Sequence, residues 1–322
     1  MINEIKPNLD LLQRMFSIPH PSGKEYLMVK FIREYISANF GDAVKVEEDE
    51  HGNLLITKGE LNSDNEYYPC IVAHLDEVHS ANKHRRVFCL DGELMVAFDM
   101  KKGEQCGLGA DDVVGLFIGL TMLHEVEKLK LFFPVSEEVG CVGSSLVDLK
   151  WFKDIGYLLQ PDRRGNSDLI VHTNGTDVTS DEFIDDNFEV FEQYGYTETY
   201  GTCTDIGTLV SRGVGISACN LSCGYYNEHC HDEAIDIPSM TDCLNLVYNI
   251  LLNAGLTCYE FTPKSKRYGD TSAYGAWWAN KYCYDYYDEE ELEDMRKYYE
   301  EECGIPCSDC QDQDCMNCKY YG

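Results

Sequence analysis

Positive charge is scarce in this 322-residue sequence, because 26 lysine and arginine residues stand against 57 aspartate and glutamate residues. The formal net charge is −31. A surface this acidic repels phosphate backbones and anionic lipid headgroups. We therefore expect neither a nucleic-acid partner nor a membrane partner.

Long hydrophobic runs are also missing, since no stretch approaches the roughly 18 apolar residues that mark a membrane-spanning helix. The N-terminal segment MINEIKPNLDLLQRMF has no basic region followed by an apolar run. We therefore expect no signal peptide and a cytoplasmic location. Hydrophobic residues still make up 44 % of the chain, close to the roughly 45–50 % of globular domains, which excludes disorder of the whole chain.

Cysteine is plentiful, and the 16 cysteines would suit a secreted disulfide scaffold. The chain is long enough to build a hydrophobic core without disulfides. Cys70, Cys89 and Cys219 also lie in apolar, strand-like runs, where reduced thiols pack as small hydrophobic groups. We therefore expect reduced thiols, as in a cytoplasmic protein.

Strand-like runs alternate with segments of helical spacing. YPCIVAHLD, LKLFFPVSEE and GYLLQPD are short apolar runs typical of buried strands, whereas VVGLFIGLTMLHEVEK and SMTDCLNLVYNILLNAG are typical of helices. The alternation predicts an α/β fold with a mixed, largely parallel central sheet flanked by helices. Residues 176–200, which are rich in acids and tyrosines, are expected to form a small flap.

The composition changes near residue 284, which predicts a catalytic domain over 1–283 and an acidic, cysteine-rich tail over 284–322. The tail contains Cys307-x2-Cys310 and Cys315-x2-Cys318, but only four residues separate the two pairs. Two interpretations stay open, a small structural zinc site and a tail of free or loosely paired thiols.

Three predicted strands end in side chains that can bind metal ions: His74 with Asp76, Glu137 with Glu138, and Asp162. Ligands of open α/β sheets gather at the carboxyl ends of the strands, so these residues could converge at one edge. A single acid at a strand end is more often a turn residue or a helix cap, but five such residues at three strand ends are hard to explain as turns alone. Asp162 could also pair with Arg163 or Arg164.

The spacing of these residues suggests that they have different roles. Asp76 lies two residues after His74 in an extended segment, so it can reach the second ring nitrogen of that histidine. The adjacent Glu137 and Glu138 would repel each other without a nearby cation. Their side chains point in different directions, so one can bind a metal while the other accepts protons.

Two further motifs offer ligands but leave alternatives open. In GLGADD, Asp111 could cap the helix that follows or could bridge two cations with its two oxygens. In NEHCHDE, either His229 or His231 could be a ligand, and both could also be surface residues.

In this order, HLD, GLGADD, SEEVGCVGS, PD and NEHCHDE resemble the co-catalytic di-zinc exopeptidases, which include peptidase T, glutamyl aminopeptidase and related amidohydrolases. IPHPSGKEYLMVKFI and HGNLLITKG resemble the N-terminal segments of that family, so the likeness covers residues 8–255, approximately. It implies a zinc-exopeptidase-like fold. Only 36 residues separate His74 from Asp111 and 66 separate Asp162 from His229, so we expect a single catalytic domain without a large lid.

The resemblance implies two divalent metal ions with five ligands: His74 and Asp162 on one ion, Glu138 and His229 on the other, and Asp111 bridging both. Zinc suits these ligand types, with manganese or cobalt as alternatives. Asp76 would orient His74, and Glu137 would act as the general base. The resemblance also implies a cis peptide bond between Asp111 and Asp112, and Tyr225 or Tyr226 is a candidate hydrogen-bond donor to the substrate.

The function that follows is a metal-dependent exopeptidase, expected to be an aminopeptidase that hydrolyses short peptides. An N-acyl-amino-acid deacylase and a catalytically silent binding protein of the same fold are the alternatives. A serine hydrolase is disfavoured because no G-x-S-x-G motif is present, and a cysteine hydrolase built on Cys230 lacks a local signature. The expected partner is a peptide or acyl-amino-acid substrate, and a homo-oligomer is compatible with the sequence.

Overall fold

A computed structural model describes residues 4–263 of the chain. The expected cysteine-rich tail, its zinc site and the domain boundary at 283 lie outside the described residues. Within them there are seven α-helices: α1 (Leu9–Phe16), α2 (Tyr26–Phe40), α3 (Ala110–Glu125), α4 (Val142–Leu146), α5 (Asp181–Gln193), α6 (Asp205–Arg212) and α7 (Ile237–Ala254).

The same residues contain fourteen strands: β1 (Val44–Glu48), β2 (Leu54–Lys58), β3 (Tyr68–Val72), β4 (Arg85–Leu90), β5 (Leu94–Asp99), β6 (Glu104–Cys106), β7 (Leu129–Phe133), β8 (Ile155–Arg163), β9 (Asp168–Thr173), β10 (Thr176–Asp177), β11 (Thr197–Gly201), β12 (Ser217–Ser222), β13 (Tyr225–Tyr226) and β14 (Ala234–Asp236). The predicted alternation of strands and helices is confirmed.

The main sheet has nine strands in the order β1-β2-β7-β3-β8-β12-β9-β10, and β11 pairs with β9. Its centre is parallel, because β7, β3, β8 and β12 all run in one direction. The hairpin β1–β2 adds antiparallel strands at one side, and β9 and β10 add them at the other. The chain is therefore a mixed α/β fold with a largely parallel centre, as predicted.

The central strands are buried on both faces, which explains their continuous apolar runs. Successive side chains of β3 lie on opposite faces of the sheet. Ile71 belongs to one hydrophobic cluster, whereas Cys70 and Val72 belong to another. Helix α3 lies within the larger cluster, and 12 of its 16 residues are buried. Because the core covers both faces, the parallel strand ends are held in fixed positions.

A second, smaller sheet takes three strands from the chain between the first two motifs, and its other two, β13 and β14, come from residues 225–236. It is antiparallel, with the order β13-β14-β5-β4 and β6 paired to β5. Val87, Met95 and Ile235 of this sheet belong to the same cluster as the main core. The described residues therefore form a single domain, and neither motif gap holds a large lid.

Two expectations from the sequence were wrong. Residues 176–200 do not form a flap, because helix α5 packs on α7 through the buried Phe183 and Phe191, and β11 pairs with β9. Cys89 lies on β4 as expected but is exposed, whereas Cys70 and Cys219 are buried.

The ten cysteines of the described residues are free thiols. In residues 4–263, no helix is both long and apolar enough to cross a membrane.

Candidate metal centre

The motif residues meet at the carboxyl edge of the parallel strands. His74 follows β3, Glu137 and Glu138 follow β7, and Asp162 lies at the end of β8. Helix α3 begins at the same edge and contributes Asp111, and the loop between β13 and β14 contributes His229. Five separate segments thus bring their ligand atoms to one place.

The ligand atoms form two triads that share Asp111. In each triad the atoms lie within 4.8 Å of one another, and the two sets are His74, Asp111 and Asp162, and Asp111, Glu138 and His229. His74 Nε2 lies 3.0 Å from Asp111 Oδ1 and 3.7 Å from Asp162 Oδ1. His229 Nε2 lies 3.3 Å from Asp111 Oδ2 and 3.0 Å from Glu138. The two oxygens of Asp111 therefore face different triads.

Asp76 contacts His74 through both its backbone and its side chain, and the backbone contact is the closer one. His74 Nδ1 lies 2.9 Å from the Asp76 carbonyl oxygen and 3.4 Å from its carboxylate. Because a carbonyl oxygen only accepts hydrogen bonds, Nδ1 carries a proton, and in the neutral ring Nε2 would have a lone pair for a metal ion beside Asp111 and Asp162. The Asp76 carboxylate accepts hydrogen bonds from Ser22 Oγ and from the N–H groups of Glu137 and Glu138.

The segment before helix α3 is held by a residue that the sequence analysis did not single out. Glu233, which is fully buried, accepts hydrogen bonds from the backbone N–H groups of four consecutive residues, at 2.9, 2.7, 2.9 and 3.3 Å: Leu108, Gly109, Ala110 and Asp111. Its carboxylate also lies 2.8 Å from His79 Nε2. The only sequence signal for Glu233 is its place four residues after His229.

The backbone around Asp111 is unusual in two respects. The peptide bond between Asp111 and Asp112 is cis, as the resemblance implied. Gly109 has a φ of 72°, and a Cβ at that position would lie 2.5 Å from Glu77 Oε2. The left-handed conformation and the lack of space both require glycine there.

The structure distinguishes the candidates that the sequence left open. His229 contacts Asp111 and Glu138, whereas His231 is exposed and belongs to neither triad. His229 also has a φ of 64°, a left-handed conformation that is rare outside glycine and common at functional sites. Tyr225 is buried with its hydroxyl 3.5 Å from Asp162 Oδ1, and Tyr226 is more exposed.

Glu137 belongs to neither triad, although it lies beside them. Burial raises its pKa well above the usual range, and the nearby Asp205, Asp162 and Glu138 act in the same direction. Burial and the charge of Asp111 likewise raise the pKa of Glu138 to about 7. The centre therefore concentrates carboxyl groups whose charges oppose one another.

This donor set fits a pair of divalent cations. Each triad offers one imidazole nitrogen and carboxylate oxygens, which are the ligand types that zinc accepts and manganese and cobalt also use. Bound cations would counter the burial and the mutual repulsion that raise the pKa values of Glu137, Glu138 and Asp162, and so would favour their ionised forms. The shared carboxylate of Asp111 suits a bridging ligand.

Four of the five triad residues, all except His74, line a cleft with a cavity volume of about 170 Å³. Glu137 lines this cleft, as do Tyr225 and the segment that follows β11, which includes Cys203. Arg163 and Arg164 also line it, and they pair with Asp168 and Glu228 at 3.1 and 2.9 Å.

Comparison by sequence finds a curated relative that matches part of the chain. No family model matches the chain. The cytosol non-specific dipeptidase of Escherichia coli (strain K12) is 27 % identical over an alignment of 195 residues, and the match covers 56 % of this chain and 38 % of that protein. The chain therefore spans well under half the length of this curated relative.

Comparison by structure identifies peptidases with the same fold. Aminopeptidase PepT from Bacillus cereus ATCC 10987 matches with a TM-score of 0.62 and 15 % identity, over 75 % of this chain and 96 % of that chain. A tripeptidase from Staphylococcus aureus subsp. aureus mu50 has a TM-score of 0.62 and 14 % identity, over 78 % of this chain and 98 % of that chain. The TET1 peptidase of Pyrococcus horikoshii has a TM-score of 0.56 and 14 % identity, over 74 % of this chain and 98 % of that chain.

Proposed function

We propose that this chain, which has the fold of the co-catalytic metallopeptidases, is a metal-dependent aminopeptidase that hydrolyses short peptides. The observation that carries the proposal is the pair of triads sharing Asp111 beside the unligated carboxyl of Glu137. A protein that only bound metal would need the triads but would have no use for Glu137.

In this proposal the two triads each hold one divalent ion, which we take to be zinc. Such ions would supply Lewis-acid activation of the peptide carbonyl and of the attacking water. The chain's own contribution is to fix the ligands. Asp76 sets the tautomer of His74 through its carbonyl oxygen, and it holds the backbone of both glutamates through its carboxylate.

Glu137 acts as the general base. Its backbone N–H donates to Asp76 Oδ1 at 2.8 Å, so the carboxyl group extends into the cleft from a fixed position. It accepts the proton of the attacking water and passes it to the leaving amine. General acid–base catalysis of this kind typically contributes about 10²–10⁴-fold to a rate.

The proteins that resemble this chain support a peptide substrate with a free amino group. They include an aminopeptidase, a tripeptidase and a dipeptidase. The two arginines of the cleft wall are already paired with acids. We therefore place an aminopeptidase before a deacylase.

A cytoplasmic location and assembly into a homo-oligomer complete the proposal. The first is supported by the likeness to the cytosol dipeptidase. The second is supported by the TET1 peptidase, which can assemble into a tetrahedron or a large octahedral shell.

The test combines the metal content of the purified chain with hydrolysis of dipeptides, aminoacyl anilides and N-acetyl amino acids. We expect about two divalent ions per chain and cleavage of the substrates with a free α-amine. Glu137→Gln should lower kcat by about 10²–10⁴-fold while the metal content stays the same, because Glu137 lies in neither triad.

Glu228→Gln is the matched control, since Glu228 also lines the cleft but contacts Arg164. It should retain both metal and cleavage. Metal binding with hydrolysis of N-acetyl amino acids alone would replace the aminopeptidase with a deacylase. A chain that binds no metal, or whose Glu137→Gln variant is fully active, would contradict the proposal.

A further inference from the structure

Two thiols lie side by side in the wall of the cleft, next to the proposed base. The sulfur atoms of Cys141 and Cys203 are 3.5 Å apart. Cys141 Sγ also lies 3.4 Å from Glu137 Oε1, to which it can donate its proton. Glu137 and Cys203 both line the cleft.

The two thiols differ in their access to solvent. Cys203 is exposed, on the segment between β11 and α6, whereas Cys141 is buried with 2 % of its surface exposed. Cys141 is also fixed relative to the proposed base, because its N–H donates to the carbonyl oxygen of Glu137 at 2.8 Å. A soluble oxidant therefore reaches Cys203 first, and the nearest thiol to the oxidised sulfur is Cys141.

We propose that Cys141 and Cys203 are a reversible disulfide site, which a hydroperoxide closes and which lowers the activity of the cleft when closed. A disulfide needs a sulfur–sulfur distance of about 2.05 Å, so the two sulfur atoms have to approach by roughly 1.5 Å. Cys203 lies in a connecting segment that borders the cleft, and the backbone of Cys141 does not have to move with it.

The chemistry takes two steps. The sulfur of Cys203 attacks the O–O bond of the hydroperoxide, which breaks to give Cys203–S–OH and an alcohol, or water when the oxidant is hydrogen peroxide. The sulfur of Cys141 then attacks the sulfur of this sulfenic acid, the S–O bond breaks, and hydroxide leaves with the Cys141 proton as water. Two thiols are oxidised by two electrons and one hydroperoxide is reduced.

Closing the bond changes the surroundings of Glu137 in two ways. Cys141 loses the S–H group that can donate to Glu137 Oε1. The segment carrying Cys203, which lines the cleft, moves by roughly 1.5 Å toward Cys141, and this changes the shape of the cleft beside Glu137. Formation of the bond is independent of the proposed function, whereas the loss of activity rests on it.

The test treats the metal-loaded full chain with hydrogen peroxide, blocks the remaining thiols by alkylation and maps the disulfides by mass spectrometry. Trypsin gives two diagnostic peptides, 131–150 and 165–212, each with a single cysteine, Cys141 in the first and Cys203 in the second. We expect these two peptides to be linked and dithiothreitol to separate them. Hydrolysis should fall by about tenfold or more on oxidation and return on reduction.

Variants separate this bond from the oxidation of other thiols. Cys203→Ser and Cys141→Ser should each abolish the linked peptides, and each variant should keep its own starting activity after peroxide. Cys89→Ser removes an exposed thiol that does not line the cleft, so it should behave as the wild type.

Three outcomes would overturn the proposal. The two thiols could stay available to alkylation while Cys89 is oxidised, Cys203 could be linked to another cysteine, or the Cys141–Cys203 bond could form without any change in activity. If the reduced chain hydrolyses no peptide, the proposed function fails. Peptide mapping still decides whether the disulfide forms.

Discussion

At the scale of single residues, Asp76 shows how one side chain stabilises several parts of a site at once. It is fully buried, and burial by itself would raise its pKa. The contacts with His74, Ser22 and the Glu137 N–H outweigh this and lower the pKa, so the carboxylate stays charged. An ionised acceptor of this kind binds the backbone of the base segment more strongly than a neutral one would.

Glu233 has a comparable role for Asp111, the proposed bridging ligand, which leads to a prediction. Its carboxylate satisfies four consecutive N–H groups that end at Asp111. Glu233→Gln replaces one acceptor oxygen with an NH2 group, so two of these donors lose their partner. We expect metal affinity to fall by about 10–100-fold, the usual effect of removing a group that orients a ligand.

Competition with a chromophoric chelator would measure this affinity. Asp232→Asn is the matched control, because Asp232 is an exposed neighbour of Glu233. Its carboxylate accepts a hydrogen bond from Asn227, and the amide oxygen of asparagine can accept the same bond. Unchanged affinity in Glu233→Gln would mean that the 108–111 segment keeps its geometry without this carboxylate.

At the scale of elements, Glu25 connects the start of helix α2 to the segment that carries Glu137. Its Oε1 accepts hydrogen bonds from Gly23 N–H at 2.9 Å and from the N–H and hydroxyl of Ser136, both at 3.2 Å. Burial and the charge of Asp76 raise its pKa from 4.5 to about 7. The folded protein thus keeps a proton on Glu25 that the unfolded chain releases.

The pH dependence of stability follows from this shift. Below about pH 4.5 Glu25 is protonated in both states and has no effect. Between 4.5 and 7 the folded state binds more protons than the unfolded one, so the contribution of Glu25 to stability decreases as the pH rises, and the loss is complete above about 7. Glu25→Gln keeps the Oε1 acceptor but has no charge. We expect it to be more stable than the wild type at pH 8, by about 1–3 kcal/mol.

Urea unfolding of both proteins at pH 4.5 and pH 8, in the presence of a chelator, would measure the difference. The two unfolding free energies should be similar at the lower pH and diverge at the higher one. A constant difference, or a variant that is less stable at pH 8, would show that the hydrogen bonds of the ionised carboxylate outweigh its burial.

Strands and helices could be predicted where the pattern of apolar residues in the sequence reflects their burial. Apolar runs predicted β3, β7 and β8, because these strands are covered on both faces, and the polar residues that end them predicted where the triads would meet. The prediction of a flap over residues 176–200 was wrong because the many acids suggested an exposed segment, and only a few phenylalanines hold α5 against α7. Glu233 gave no pattern, since its role depends on backbone donors that lie more than 120 residues earlier.

At the scale of the whole molecule, the candidate centre joins distant parts of the chain. The ligands come from residues between His74 and His229, and each lies on a different segment. Without cations, the same arrangement gathers buried carboxyl groups that repel one another, which adds to the self-repulsion of a chain with a net charge of −31. Metal binding should therefore stabilise the fold as well as the site.

This gives a prediction for metal removal. Dialysis against a chelator should lower the urea midpoint, and an ion restored to about 100 times its Kd should add about 2.7 kcal/mol to the free energy of unfolding. Asp111→Asn should lose this dependence on metal, because Asp111 belongs to both triads. His231→Gln should retain it, since His231 is exposed and belongs to neither. If the metal has been removed and the urea midpoint of the wild type is still unchanged, metal binding at the triads does not stabilise the fold.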